Sequence, residues 1–144
     1  MILYLDTSAL IKLYVSEPGT DAVRQWVSEA KVVSTSRVAY VEARAGVARK
    51  YREGEFSVGE YGSILKDLER DWRDYLVVEV SEEVVALGGD LTDRHPLRGF
   101  DAIHLASALF LKAKVQSEVF FSCFDLKLGN AAEAEGLVVL GCKG

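Results

Sequence analysis

Five short apolar runs, each followed by a longer helical pattern, constrain this chain more than any other feature. They are "ILYL" (2–5), "KVVS" (31–34), "YLVVEV" (75–80), "EVFFSC" (118–123) and "LVVL" (137–140). Apolar strands that alternate with helices imply a parallel sheet covered on both faces. The expected fold class is therefore α/β, with a central parallel sheet of about five strands and helices on both faces. The first helix is predicted over about 8–15, with Thr7 or Ser8 as its N-cap, and "EPGT" (17–20) breaks it at Pro18. A second helix runs to about Glu29. Ser36 is placed to cap a long helix through Arg52, Ser57 one to about Asp74, and Ser81 one to about Arg94. Later helices carry "DAIHLASALFLKA" and "DLKLGNAAEAEG".

In sheets of this kind, polar chemistry collects outside the carboxyl ends of the strands. Asp6 lies just past the end of the first strand and Asp125 just past "VFFSC". The pattern makes those two acids neighbours. Two more acids stand in apolar company. Glu42 lies in the helical "RVAYVEARAGVA", and Asp101 opens "FDAIHLASALFL". Each has an ordinary explanation: a helix cap for Asp6 and Asp125, a first-turn acid for Asp101, an exposed surface acid for Glu42. Together they suggest an acidic cluster. Carboxylates about 5 Å apart repel by about 3 kcal/mol per pair at an effective dielectric near 20, so such a cluster needs a cation. Oxygen-only donors favour Mg²⁺ or Mn²⁺ over zinc.

Length and composition set the outer limits. A chain of 144 residues fits one domain spanning 1–144, and 49% apolar content supplies a core. No apolar run is long enough to cross a bilayer. The N-terminus has no basic segment, and Asp6 interrupts its apolar stretch, so a cytoplasmic protein is the expectation. Cys123 and Cys142 form no C-x-x-C pair and read as reduced residues. The net charge of −5 argues against nucleic-acid binding by bulk positive charge. Two divalent cations in an acidic site would cancel most of it.

"LDTSAL", "VEARAGV", "GFDAIHLASA" and "SCFDLKL…AAEAEGL" together resemble the four acidic blocks of PIN-domain ribonucleases. More narrowly, the chain resembles the VapC-type toxins of toxin–antitoxin pairs, in block order and over nearly its whole length. The resemblance implies a catalytic, metal-binding set of Asp6, Glu42, Asp101 and Asp125. Asp6 and Asp101 would be direct ligands of Mg²⁺ or Mn²⁺. Glu42 and Asp125 would serve a second metal or the attacking water, and Ser8 would support Asp6. It further implies metal-dependent hydrolysis of RNA phosphodiester bonds, a small VapB-like antitoxin partner and a homodimer. One position departs from the pattern: Cys123 stands where Thr or Ser is common two residues before the last acid, and a thiol is a weak donor.

Substrate phosphates call for cations, and Lys12, Arg94, Arg98 and Lys127 are the candidates by proximity in sequence. Arg44 is expected to pair with an acid. His104, one turn beyond Asp101, reads as a packed or hydrogen-bonded helix residue, and His95, before Pro96, as exposed. Of Tyr14, Trp26, Tyr40, Tyr51, Phe56, Tyr61 and Trp72, most are expected in core or hairpin packing. A haloacid-dehalogenase-like phosphatase needs an Asp where this chain has Ser8. A response-regulator receiver needs an Asp after its third strand, where this chain offers Glu79. A housekeeping PIN nuclease without antitoxin, or an inactive PIN-like binding module, would fit the same four blocks.

Overall fold

The computed structural model describes residues 1–141; Cys142, read above as a reduced cysteine, lies outside them. The strands are β1 (Ile2–Leu5), β2 (Val32–Ser36), β3 (Leu76–Val78), β4 (Val119–Cys123) and β5 (Val138–Gly141). The helices are α1 (Thr7–Ile11), α2 (Thr20–Glu29), α3 (Val38–Arg52), α4 (Val58–Trp72), α5 (Glu82–Arg94), α6 (Gly99–Val115) and α7 (Leu126–Ala134). All four strand pairings are parallel, in the order β3-β2-β1-β4-β5. Among the described residues, no helix is long and apolar enough to cross a membrane.

The order reverses at β1. Chain growth goes outward through β2 and β3 on one side, then through β4 and β5 on the other. This topological switch point leaves a crevice at the carboxyl edge between β1 and β4. Leu5 pairs with Ser122, and the Asp6 amide donates to the Ser122 carbonyl at 3.1 Å. Asp6 and Asp125 therefore leave adjacent strands at the same edge, as the pattern of runs implied.

Two cores flank the sheet, and β1 shows why. Successive strand side chains face opposite ways. Leu3 and Leu5 enter a cluster with Leu10, Val23, Ala39 and Leu68 from α1–α4. Tyr4 enters the other, with Leu91, Leu105 and Leu128 from α5–α7. Tyr4, Leu3 and Leu5 are all fully buried. Asp6 continues the extended backbone, with φ −74° and ψ 176°, two residues beyond Tyr4. Its side chain is thereby aimed at the face that α6 covers.

Helix termini differ from the sequence expectation in instructive ways. Asp6, rather than Thr7 or Ser8, caps α1, and that helix spans five residues rather than eight. Ser36 does not cap α3 in the ordinary way: it is the last residue of β2, and Arg37 is the N-cap with no side-chain cap bond. The Ser36 hydroxyl still accepts from the Val38 amide at 3.3 Å. Ser57 and Ser81 do cap α4 and α5, the former with Glu60 in a reciprocal capping box. Tyr51 and Tyr61 stack across the α3–α4 hairpin, and Tyr40 packs edge-on against Trp72.

Candidate active site

Asp6 is only 4% exposed. Its Oδ1 accepts from the Ser8 hydroxyl at 2.7 Å and from the Ala9 amide at 2.9 Å. The Ser8 hydroxyl also accepts from the Phe124 amide at 3.3 Å, tying the end of β4 to the start of α1. Burial pushes the Asp6 carboxyl above the usual range, and repulsion from Asp101 adds to it; His104 and the two hydrogen bonds oppose the rise. Asp6 is thus a buried acid whose ionised form is disfavoured chiefly by desolvation.

Asp101 arrives from α6. That helix precedes β4 and runs back against the strands, so its first turn lies over their carboxyl edge. Asp125 is the N-cap of α7 and accepts from the Leu128 amide at 3.0 Å. Arg98, the N-cap residue of α6, bridges the two acids: Nε donates to Asp101 at 3.2 Å, and the guanidinium lies 3.7 Å from Asp125. The Cys123 thiol reaches the Asp125 backbone carbonyl at 3.8 Å.

Glu42 sits on α3, which leaves β2 at the same edge. Its Oε1 accepts from the Thr7 hydroxyl at 2.6 Å and is 2.9 Å from His104 Nε2. Burial alone would raise its pKa, but the hydrogen bonds from His104 and Thr7 outweigh burial and hold the carboxyl below the ordinary value.

The surface around these acids is a series of adjoining grooves. One of about 580 Å³ is lined by Thr7, Ser8, Glu42, Arg49 and Arg52. The next, about 670 Å³, runs from Glu42 past Phe100 and Ile103 to Asp101 and Arg98. A third, about 460 Å³, takes in Arg98, Asp101, Asp125 and Lys127. Glu42 is a wall of the first two, and Arg98 with Asp101 a wall of the last two.

Among the described residues, no three His, Cys, Asp or Glu side chains stand close enough to enclose a metal ion. The donor chemistry nonetheless fits a hard divalent cation. Every acid offers oxygen only, the Asp6 carboxyl is raised chiefly by burial, and a guanidinium already serves as the cation for Asp101 and Asp125.

The family model for the PIN domain matches residues 3–133. The chain belongs to the PIN-domain family. It is 34% identical to the ribonuclease VapC45 of Mycobacterium tuberculosis over 139 residues, covering 94% of this chain and 92% of that protein. The fold is similar to that of M. tuberculosis VapC20, a sarcin–ricin loop cleaving toxin. The TM-score is 0.65 at 20% identity, over 94% of this chain and 96% of the other. A toxin–antitoxin complex from Klebsiella pneumoniae aligns at TM-score 0.58 and 16% identity, over 82% and 83% of the two chains. At such identities the two structures speak to the fold alone.

The cations expected at the PIN site are differently placed from one another. Lys12 is 12% exposed, paired with Glu17 at 2.9 Å and set over the Phe124 ring. Arg94 makes two bonds to Glu135, both 3.1 Å. Arg98 and Lys127 line the groove at Asp125. Among the described residues Arg44 pairs with no acid, contrary to expectation; it donates to the Tyr40 hydroxyl at 2.8 Å. His95 is not exposed either, being 16% accessible and 2.7 Å from Glu135. Sequence reasoning missed Thr7, which it treated as a cap, and Arg49 and Arg52. The signal for the arginines was present: on a helix they lie two and nearly three turns beyond Glu42.

Proposed function

We propose that this chain is a metal-dependent endoribonuclease, the toxin of a VapBC-type pair, with Asp6, Glu42, Asp101 and Asp125 as its metal-binding catalytic set. The observation that carries this reading is Asp6: a carboxylate buried at the switch point, raised by burial and by Asp101, in a chain that aligns end to end with a ribonuclease. A Mg²⁺ or Mn²⁺ ion held there would lower the pKa of a water and neutralise charge developing on the phosphate. Asp6 and Asp101 supply the central oxygens, and Ser8 keeps Asp6 oriented through Oδ1. Glu42 is kept ionised by Thr7 and His104, as a residue that binds a cation or orients water must be.

The grooves suggest the path of the RNA. Arg49 and Arg52 stand at one end and Lys127 at the other, with the acids between. None of the three is ion-paired among the described residues, so they are available to phosphates. Lys12 and Arg94 already have carboxylate partners, which leaves them less available. The middle groove, with Phe100 59% exposed beside Ile103, offers apolar surface for an antitoxin segment next to the site. A homodimer, as in the resemblance, completes the reading.

The test is cleavage of a pool of structured RNAs by the purified chain, with Mg²⁺ or Mn²⁺ and with EDTA. Metal-dependent cutting that stops in the Asp6→Asn variant is the expected result. Cutting that persists in EDTA or in that variant contradicts the mechanism, and metal binding without cutting points to a binding module.

A further inference from the structure

His104 is 2% exposed, and its ring is held at both nitrogens. Nδ1 lies 2.8 Å from the Tyr4 hydroxyl; Nε2 lies 2.9 Å from Glu42 Oε1 and 3.0 Å from Thr7 Oγ1. One set of protons satisfies all of these atoms. The Tyr4 hydroxyl donates to Nδ1, Nε2–H donates to Glu42 Oε1, and the Thr7 hydroxyl donates to the same oxygen. Tyr4 is itself immobile: it is fully buried on β1 and stacks on Phe121 of β4, ring centroids 5.5 Å apart.

The consequence falls on Glu42. Oε1 accepts two hydrogen bonds, while Oε2 accepts none among the described residues. A glutamate on a helix surface ordinarily samples several rotamers. Here the sheet fixes Tyr4, Tyr4 fixes the imidazole, and the imidazole with Thr7 fixes one carboxylate oxygen, leaving the other for the grooves.

We propose that His104 is a positioning residue: through Tyr4 and Thr7 it locks Glu42 by Oε1, so that Oε2 is presented to a divalent cation or its water. This rests on the reading of Glu42 as part of a metal site. It assigns His104 no proton transfer. A histidine that merely fills the core would show the same burial, so the decisive evidence is coupling to Glu42.

The experiment is a double-mutant cycle on Mn²⁺ affinity, read by the electron paramagnetic resonance signal of free Mn²⁺, using the full chain. The proteins are wild type, His104→Leu, Glu42→Gln and the double variant, with thermal unfolding run alongside. Loss of an outer hydrogen-bond partner typically weakens a metal site by about tenfold or more, and His104→Leu is expected to do so. In the Glu42→Gln background the same change is expected to cost nothing further. His104→Gln retains an amide that donates to Oε1, and is expected to recover most of the affinity. Single-turnover cleavage should slow in His104→Leu with KM unchanged.

Wild-type affinity in His104→Leu, or an equal loss with and without Glu42, overturns the proposal while the metal site stands. A wild type that binds no Mn²⁺ overturns both. Should His104→Leu fail to fold, Tyr4→Phe carries the test. It frees Nδ1 without touching Glu42, and must weaken Mn²⁺ binding in the same direction and only while Glu42 is present.

Discussion

Asp6 and Glu42, both placed in the proposed site, are perturbed in opposite directions, and each direction has a stability consequence. The folded state raises the Asp6 pKa, chiefly by burial. Its ionisation therefore costs the metal-free fold stability as pH rises through the ordinary Asp range, and the penalty is fully present above the raised value. Asn keeps the N-cap of α1 without the charge. Asp6→Asn is thus expected to raise the melting temperature of the metal-free protein at neutral pH by a few degrees. The gain should vanish once the pH falls below the ordinary Asp value. Glu42 behaves oppositely. Its lowered pKa contributes stability above the ordinary Glu value that is lost as pH falls through the lowered one. Glu42→Gln is therefore expected to lower the neutral-pH melting temperature. Thermal scans of both variants in EDTA, at neutral and acidic pH, check the two signs together.

At the scale of elements, α3 carries both Glu42 and the arginines that follow it on the groove wall. Arg49→Ala and Arg52→Ala are expected to raise KM for RNA with kcat little changed. Each should also reduce the slope of log affinity against log salt by about 0.7, the value for one phosphate contact on a single strand. The N-terminus of α6 makes a different prediction. Arg98 neutralises Asp101 and Asp125, so Arg98→Ala should tighten Mn²⁺ binding, measured by calorimetry, even if it weakens RNA binding.

Elements were legible from sequence where their cause was local. Ser57 announced the start of α4, and "ILYL" running into Asp6 announced a strand with chemistry at its carboxyl end. Long-range partners were not legible. His95 bonds to Glu135, forty residues away, and Glu42 to Thr7 and His104, each on another element. Ser36 failed as a cap for α3 because β2 extends through it. The four acids stood out by their setting, but how each is held depends on contacts that no spacing encodes.

For the whole molecule, the strand order gathers acids from β1, α3, α6 and α7 at one edge, and two cores hold that edge in place. On the proposed reading a divalent cation would bind at that edge, where burial raises the Asp6 carboxyl. Mn²⁺ at about a hundred times its dissociation constant should stabilise the protein by about 2.7 kcal/mol, seen as a rise in melting temperature that EDTA reverses. These four carboxylates are proposed to hold the metal that cuts RNA. Single-turnover cleavage of one RNA substrate tests it most directly, comparing wild type with Asp6→Asn, Glu42→Gln, Asp101→Asn and Asp125→Asn, each folded and each in saturating Mn²⁺. Every substitution is expected to slow cleavage by at least about a hundredfold, Asp6→Asn and Asp101→Asn the most. Cleavage at the wild-type rate by a folded Asp6→Asn or Asp101→Asn protein would contradict it.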